Sequence, residues 1–474
     1  MRRVEIDGIR WHVQPEAEPL IHQLLQDAGR VIKEAPAKRI TCHTLPAGTF
    51  YVKRYRHAAF PFRPVKFLFK PSQAAQEWQL AQDLEARAIP IVRHVALGER
   101  WTWSGLQESI LITEGFDGRM LHEAEGVNPA DVLAFLARMH QHGVLQEDLH
   151  PGNLLVKLSP LEIRLVDLHG TRLLPQLTPA QRDDNLTVLR SYLPIQVPPE
   201  IAERSARLRQ QRFFERSKRC FRHNRDFVPR AMGGLRWWVR LPAWSKALEG
   251  IVSDPDGFLQ TRAQILKPGR TSTVGRREGL VLKRFNLRKL ENLAKDLFRP
   301  SRARRAFQRA YHLELLGIPT PRVLATAERR CCGFLLRSYL VMDEIPGATD
   351  LGTLLRRGKP PTRELARAVG ELVGKLHAEG FSHRDLKETN LVLDSAGKLY
   401  VLDLDGLTFQ PELTEARAAL DLERLARAMA LFEPVRRGHR MQFLRSYCRA
   451  RGVRQVPRLP PRQQHGISTA KERE

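Results

Sequence analysis

The stretch Phe381-Ser382-His383-Arg384-Asp385-Leu386-Lys387-Glu388-Thr389-Asn390 contains an aspartate that is followed, five positions later, by an asparagine. An apolar run comes next and leads into Leu402-Asp403-Leu404-Asp405-Gly406. Phosphoryl transfer uses one carboxylate to accept the proton of the attacking hydroxyl, and an amide and a second carboxylate to hold Mg²⁺ against the phosphates. We therefore predict Asp385 as a catalytic base, with Asn390 and Asp403 as metal ligands.

The same pattern occurs in the N-terminal half of the chain. The segment Gln146-Glu147-Asp148-Leu149-His150-Pro151-Gly152-Asn153 has the same spacing from aspartate to asparagine, and an apolar run again leads to an aspartate, Asp167. The repeat is domain-sized. The sequence therefore predicts two kinase-like domains in tandem, with Asp148 as the second base and with Asn153 and Asp167 as the second pair of metal ligands.

A strand that carries a lysine precedes each of these segments. In Gly48-Thr49-Phe50-Tyr51-Val52-Lys53-Arg54-Tyr55-Arg56 and in Gly279-Leu280-Val281-Leu282-Lys283-Arg284-Phe285-Asn286, the lysine is followed by an arginine and an aromatic residue. Kinases need one lysine on an N-lobe strand to neutralise the α- and β-phosphates of ATP. Lys53 and Lys283 are therefore predicted to bind the nucleotide.

A helix is predicted after each lysine strand, starting at Ser72 and at Ser301, since serine before a periodic run is an N-cap signal. The helix position that pairs with the strand lysine in kinases holds Glu77 in the first half and Ala306 in the second. That pair aligns the lysine for transfer. We therefore expect Glu77 to bind Lys53, and we expect the second half to lack the pair.

Each half then has an apolar strand that ends in an acid, at Glu114 and at Glu344. This is the expected place of the hinge between two lobes, whose backbone groups bind adenine, so Glu114 and Glu344 are predicted to mark the nucleotide site. The loops ahead of the lysines, residues 45–48 and 268–275, are poor matches to a glycine-rich phosphate loop. The amides that cradle the phosphates therefore stay unassigned in the first half.

Composition and charge limit the class of protein. Hydrophobic residues make up 42% of the 474 residues and charged residues 27%, an ordinary globular balance that argues against general disorder. The net charge of +26 indicates an anionic partner surface, such as a phosphorylated glycan or lipid, a membrane face or nucleic acid. The alternative is that the charge serves mainly to keep the protein soluble.

The cysteines and the N-terminus indicate the compartment. The five cysteines are scattered without Cys-x-x-Cys spacing, which is typical of reduced thiols in a cytosolic protein. The N-terminal residues 1–7 are charged and lack the apolar core of a signal peptide. No apolar run reaches the roughly 18 residues that a spanning helix requires, so the sequence predicts that any membrane contact is peripheral.

Together these features resemble the lipopolysaccharide core kinases, the Kdo and heptose kinases that are distantly related to protein kinases. The resemblance rests on the two lysine strands, on Gly317-Ile318-Pro319-Thr320-Pro321, on Asp148-Leu149-His150-Pro151-Gly152-Asn153 and on Leu402-Asp403-Leu404-Asp405. It covers both halves, from about residue 40 to 190 and from about 265 to 430. It implies an α+β fold of two tandem bilobed domains, each with a β-rich N-lobe and a helical C-lobe.

The resemblance also implies an activity. ATP and Mg²⁺ would be the cofactors, and a Kdo or heptose hydroxyl of the lipopolysaccharide inner core would be the acceptor. The protein would be cytoplasmic, in peripheral contact with the inner membrane, with an anionic glycolipid as its partner and without a nucleic-acid partner. Each half departs once from the family pattern. Gln146 stands where a histidine usually supports the catalytic loop, and Ala306 stands where the helix glutamate is expected.

Loss of the lysine–glutamate pair should impair transfer more than loss of a supporting histidine, so we expect the first domain to be the better catalyst. We place domain 1 at residues 1–225, domain 2 at residues 226–458 and a disordered tail at residues 459–474. One alternative is a kinase of another acceptor, either a protein Ser/Thr kinase or a small-molecule kinase of the aminoglycoside or choline type. Another is a membrane-associated pseudokinase scaffold, although a scaffold has no need of the base and metal ligands that both halves retain.

Overall fold

The computed structural model describes residues 2–57, 67, 69–286, 299–331, 333–357, 361–432 and 435–457. The chain divides into two compact units, Met1–Leu208 and Arg209–Glu474. The expected tail at residues 459–474 lies outside the described residues. The domain boundary expected between residues 225 and 226 stays a prediction.

The first unit begins with a seven-stranded antiparallel sheet. Its strands are β1 (Arg2–Ile6), β2 (Ile9–Val13), β3 (Arg30–Ala35), β4 (Lys38–Leu45), β5 (Gly48–Arg56), β6 (His94–Thr102) and β7 (Gly105–Glu114). The strand order is β1-β2-β6-β7-β5-β4-β3. The lysine strand β5 lies between two others, so that Lys53 faces Ile40 on β4 and Leu111 on β7. Pairing on both sides holds the backbone of Lys53 in a fixed position.

The rest of the first unit is largely helical. Its helices are α1 (Glu18–Gln26), α2 (Gln73–Ala86), α3 (Pro129–Gln141), α4 (Pro179–Arg190) and α5 (Pro199–Ser217). Its short strands are β8 (Arg119–Met120), β9 (Val144–Gln146), β10 (Leu154–Leu158), β11 (Leu161–Leu165) and β12 (Thr171–Leu173). Short apolar groups alternate with turn signals in residues 1 to about 50, and this pattern predicts strands. The helix α1 interrupts the strands there, since Ile21 and Leu24 are buried on one face of it.

The second unit repeats the sheet. Its strands are β13 (Phe227–Met232), β14 (Leu235–Arg240), β15 (Gln264–Pro268), β16 (Ser272–Arg277), β17 (Leu280–Phe285), β18 (Val323–Cys331) and β19 (Phe334–Asp343). Their order, β13-β14-β18-β19-β17-β16-β15, is the same permutation as in the first unit. The predicted duplication of an α+β domain with a β-rich N-lobe and a helical C-lobe is therefore confirmed.

The helices of the second unit lie between and after these strands. They are α6 (Lys246–Ser253), α7 (Pro255–Gly257), α8 (Arg302–Leu315), α9 (Leu351–Arg356), α10 (Arg363–Ala378), α11 (Glu415–Met429) and α12 (Arg437–Arg451). The short strands are β20 (Thr349–Asp350), β21 (Phe381–His383), β22 (Leu391–Leu393), β23 (Leu399–Val401) and β24 (Leu407–Phe409). In the part of the chain that the structure describes, no helix has both the length and the apolar character needed to cross a membrane.

The predicted N-caps of α2 and α8 are confirmed. Ser72 Oγ accepts a hydrogen bond from the Ala75 N–H at 3.0 Å, and Ser301 Oγ accepts one from the Arg304 N–H at 3.1 Å. A cap fixes the residue at which a helix begins. The two caps therefore set the same helical phase in both units, and Ala306 lies at the position of Glu77.

The two loops ahead of the lysines, at residues 45–48 and 268–275, are not equivalent. Residues 45–48 join β4 to β5, whereas residues 268–275 contain the turn between β15 and β16. Because both sheets have the same strand order, the counterpart of the second loop is the turn between β3 and β4, at Pro36-Ala37. The phosphate loop of the first half, which the sequence left unassigned, therefore stays unassigned, and the turn at Pro36-Ala37 is the position that matches the second loop.

Candidate active sites

In the first unit, Lys53 and Glu77 form a buried ion pair. The distance from Lys53 Nζ to Glu77 Oε1 is 2.5 Å, and each residue is 9% exposed. His94 Nε2 lies 3.8 Å from the same oxygen. Burial raises the pKa of Glu77, but hydrogen bonds and charge from His94 and Lys53 outweigh it and lower the pKa to about 2. The carboxylate therefore stays ionised beside the lysine at neutral pH.

The catalytic loop of the first unit follows β9. The Asp148 side chain is 69% exposed, and Asn153 Nδ2 donates a hydrogen bond to the Asp148 carbonyl oxygen at 2.9 Å. The amide donor of Asn153 is thus used within the loop, and its Oδ1 is the atom suited to a cation. The exposed carboxylate of Asp148 is accessible to an acceptor hydroxyl.

Asp167 and Asp403 share an unusual backbone conformation. Their φ angles are 57° and 56°, in the left-handed region that residues other than glycine seldom adopt. Such a conformation costs roughly 1–3 kcal/mol and persists where the surrounding structure imposes it. The strain occurs at the same position in both units, directly after the hairpins that follow Asn153 and Asn390.

Gln146 takes the place of the expected histidine, makes the same contact to the base and donates to a carbonyl one residue further along the chain. Its Oε1 accepts from the Asp148 N–H and its Nε2 donates to the Asp167 carbonyl oxygen, both at 3.3 Å. In the second unit, His383 Nδ1 accepts from the Asp385 N–H at 3.2 Å, and Nε2 donates to the Leu402 carbonyl oxygen at 2.9 Å. A primary amide has one donor and one acceptor end, as neutral imidazole has.

Buried polar residues form hydrogen bonds with the backbone of the strand that precedes each catalytic loop. Asn185 Nδ2 donates to the Gln146 carbonyl oxygen at 2.9 Å, and His140 Nε2 lies 3.2 Å from Asn185 Oδ1. In the second unit the fully buried Asp421 accepts from the His383 N–H at 2.7 Å, and His377 Nε2 lies 3.4 Å away. Asn185 and Asp421 could not be recognised as support residues from the sequence, because their contacts join segments that are far apart along the chain.

In the second unit, Lys283 binds carboxylates of the loop instead of the helix. Its Nζ lies 2.6 Å from Asp403 Oδ1 and 3.3 Å from Asp405 Oδ1. Ala306 is 2% exposed and contributes no carboxylate. Burial raises the pKa of Asp403, but the charge of Lys283 outweighs it, so the net direction is downward.

The second catalytic loop repeats the geometry of the first. Asn390 Nδ2 donates to the Asp385 carbonyl oxygen at 2.7 Å, and Lys387 Nζ lies 2.8 Å from Asp385 Oδ2. The hydrogen bond with Asp385 and the charge of nearby Asp403 raise the pKa of Lys387. The carboxylates of Asp385 and Asp403 both act on the Lys387 ammonium group. The predicted base and a predicted metal ligand therefore lie near the same side chain.

The hinge acids occupy matching positions, since Glu114 ends β7 and Glu344 follows β19. Glu114 Oε1 accepts from Arg93 Nη1 at 2.9 Å, and Glu344 Oε1 accepts from Arg276 Nη1 at 2.7 Å. Arginines therefore engage both carboxylates. A role for the backbone of this segment in binding adenine stays a prediction.

A cavity of about 550 Å³ opens beside the Lys53–Glu77 pair. Residues that line it include Lys38, Tyr55, Glu77, Asp167 and His169. This volume lies within the range of about 300–1,000 Å³ typical of small-molecule sites. The cavity thus joins the lysine strand, the helix and the predicted metal ligand of the first unit.

Comparison with known proteins adds a family and several relatives. The model of the "Lipopolysaccharide kinase (Kdo/WaaP) family" matches residues 22–207 and 267–447. The 3-deoxy-D-manno-octulosonic acid kinase of Vibrio cholerae is 30% identical over 105 residues, which cover 22% of this chain and 44% of that protein. The Xylella fastidiosa (strain 9a5c) protein of the same name is 29% identical over 113 residues, which cover 24% of this chain and 44% of that protein. The chain thus spans less than half the length of these relatives.

A solved structure, "WaaP in complex with acyl carrier protein", is 18% identical to this chain. The match has a TM-score of 0.31 and covers 44% of this chain and 89% of that one.

Proposed function

Because the chain belongs to the lipopolysaccharide kinase (Kdo/WaaP) family, we propose that it transfers the γ-phosphoryl group of ATP to a sugar hydroxyl of the lipopolysaccharide inner core. The observation that carries this proposal is the repeated constellation in both units. In each, a strand lysine binds a carboxylate, a loop aspartate is followed by an asparagine that clamps its carbonyl, and a second aspartate sits in a left-handed turn.

In this reaction, the acceptor oxygen forms a bond to the γ-phosphorus while the bond from that phosphorus to the β,γ-bridging oxygen breaks. Asp148 or Asp385 accepts the hydroxyl proton, and ADP leaves with the bridging oxygen. Lys53 and Lys283 donate hydrogen bonds to the α- and β-phosphates. Each lysine lies in a β-sheet with strands on both sides, so it is positioned before the nucleotide binds.

The predicted metal ligands fit Mg²⁺ in chemistry. Asn153 and Asp167, like Asn390 and Asp403, offer amide and carboxylate oxygens, the hard ligands that Mg²⁺ prefers. The cation supplies charge neutralisation at the β- and γ-phosphates when it is bound. The asparagine Nδ2 atoms already donate to loop carbonyls, so the amide oxygens are oriented by the protein itself.

We propose further that the substrate is an anionic glycolipid reached by peripheral contact with the cytoplasmic face of the inner membrane. The net charge of +26 supports this proposal, because arginine and lysine bind phosphate groups and the anionic lipid surface. The basic, apolar sequences at residues 64–70, 287–290 and 296–305 are candidates for such contact, and of these, residues 64–66, 68, 287–290 and 296–298 lie outside the described residues.

The test is transfer of radiolabelled γ-phosphate to purified inner-core glycolipid by the wild type, Asp148→Asn, Asp385→Asn and the double variant. Loss of a general base lowers the rate by about 10²- to 10⁴-fold. We therefore expect this decrease in the transfer by any working unit whose base is replaced, and in the total transfer by the double variant. Asp184→Asn is the matched control, because Asp184 is exposed and pairs with Arg204 at the surface.

Other outcomes favour the alternatives. Binding of ATP without transfer to glycolipid would contradict the proposed acceptor and favour a kinase of protein or of small molecules. Absence of both transfer and ATP binding in the wild type would favour a scaffold.

A further inference from the structure

The second unit lacks the helix glutamate but contains an acid that the first unit does not have at its loop. Ala306 stands five residues after the cap Ser301, as Glu77 stands five residues after Ser72. In the loop, Asp405 stands two residues after Asp403, where the first unit has His169 two residues after Asp167. The second unit therefore lacks the helix carboxylate of the first unit and has an additional carboxylate in its loop.

Asp405 is buried between Lys283 and the helix α8. Its side chain is 8% exposed, with Oδ1 lying 3.3 Å from Lys283 Nζ and Oδ2 accepting from Arg302 Nε at 2.7 Å. Its backbone carbonyl oxygen accepts from Arg309 Nη1 at 2.9 Å. Asp405 therefore links Lys283 on β17 to Arg302 on α8. In the first unit, Glu77 contacts Lys53 directly from α2, because it lies on that helix.

Asp403 also binds Lys283, at 2.6 Å, but Asp403 is the proposed ligand of the cation. A carboxylate that coordinates a cation has less negative charge to offer the lysine. Arg302 holds the far oxygen of Asp405 and orients the near one toward Lys283. Asp405 is therefore the acid that can hold the lysine while Asp403 binds the cation.

We propose that Asp405 is the positioning residue for Lys283, replacing the missing helix glutamate, and that the second unit is therefore a working phosphotransfer site. This inference rests on the proposed function, since it concerns how the second unit aligns its phosphate-binding lysine. It also predicts that the absence of a glutamate at Ala306 does not disable the second unit.

The test combines two readouts on the full chain. An acyl-phosphate derivative of ATP labels lysines beside the bound phosphates, and mass spectrometry of the peptides distinguishes Lys283 from Lys53 without any acceptor. Transfer to glycolipid is measured with the first base removed by Asp148→Asn. In both assays we compare Asp405→Ala, Asp405→His, and Asp405→His combined with Ala306→Glu, which recreates the arrangement of the first unit.

A hydrogen bond to a charged group is worth enough to change binding by roughly tenfold to a hundredfold. We therefore expect Asp405→Ala and Asp405→His to reduce ATP-protected labelling of Lys283, and the rate of transfer, by that factor, and to leave Lys53 labelling unchanged. The combined variant should recover most of the loss. A merely structural role would not be rescued by an acid placed on the helix.

The control is Asp226→Ala, because the Asp226 carboxylate lies 3.6 Å from the exposed Arg225 at the surface of the same unit. Unchanged labelling and transfer in Asp405→Ala would overturn the proposal, as would failure of the combined variant to recover while its melting temperature equals that of the wild type. If glycolipid is the wrong acceptor, all transfer is absent but the labelling of Lys283 still depends on Asp405, so the two failures are distinguishable.

Discussion

His312 is a buried imidazole whose charge state affects stability. It is 2% exposed and lies among the rings of Phe214, Phe381 and Phe409. Within the described residues, its Nε2 has no hydrogen-bond partner. Burial lowers the pKa of His312 from 6.5 to about 4. The unfolded chain therefore takes up a proton at a higher pH than the folded chain does, so that protonation favours unfolding.

We expect the second unit to lose stability as the pH falls from about 6.5 to about 4, and His312→Leu to remove much of that loss. At about 1.4 kcal/mol per pKa unit, the difference in pH dependence between wild type and variant amounts to about 3 kcal/mol. Urea unfolding at a series of pH values measures it. The exposed His223 gives the control His223→Leu, which removes an imidazole at the surface instead of a buried one. Equal slopes for wild type and His312→Leu would contradict the prediction.

Much of the candidate site could be predicted because its residues lie in short continuous motifs. Asp385 and Asn390 are clamped to each other within one loop, and this local geometry is encoded in their spacing. Asp405 could not be assigned in the same way. Its partner Arg302 is 103 residues away in sequence, and only the fold brings them together. Gln146 was identified as a departure, but its hydrogen bonds depend on atoms that sequence does not position.

At the scale of elements, the close packing of α10 against α12 depends on two glycines. A Cβ at Gly370 would lie 2.4 Å from the Phe443 carbonyl oxygen, and one at Gly374 would lie 2.7 Å from the Tyr447 carbonyl oxygen. Helices approach this closely only where side chains are absent. The glycines therefore set the distance between the two helices.

We expect Gly370→Ala to lower the free energy of unfolding by about 1–3 kcal/mol through overpacking, even though alanine favours helix. Gly438 in α12 is the matched control, because a Cβ there meets nothing within 4 Å. Gly438→Ala should raise stability by up to about 1 kcal/mol. Urea unfolding of both variants is the measurement, and a stabilised Gly370→Ala protein would show that the helices separate easily.

The elements themselves could be predicted where capping and strand patterns are local. Ser72 and Ser301 mark the starts of α2 and α8, and the lysine strands β5 and β17 lie where alternation indicates them. The phosphate loop of the first half could not be assigned from the sequence. Two successive hairpins without glycine-rich turns look alike in sequence, and only the order of strands in the sheet distinguishes them.

At the scale of the whole molecule, the net charge of +26 predicts salt-dependent binding to anionic lipid. A basic residue near such a surface contributes about 1 kcal/mol, and the Debye length falls from about 10 Å at 0.1 M salt to about 3 Å at 1 M. We expect the affinity for vesicles containing phosphatidylglycerol to fall by roughly tenfold or more over this range. Neutral phosphatidylcholine vesicles are the control. Binding that is independent of salt would contradict an electrostatic contact.

The helix α5 has a consequence for any attempt to separate the two units. The division between Leu208 and Arg209 falls inside this helix. Downstream of it, Arg209 pairs with Glu379, and Gln210 Nε2 donates to the Ala378 carbonyl oxygen at 2.8 Å. A gene that encoded the second half from residue 226 onward would therefore omit part of that half's own helical packing. The first half of α5 packs on the first unit in the same way, since Ser205 Oγ donates to the Thr187 carbonyl oxygen at 3.0 Å. A breakpoint on either side of α5 therefore removes helical packing from one of the two units.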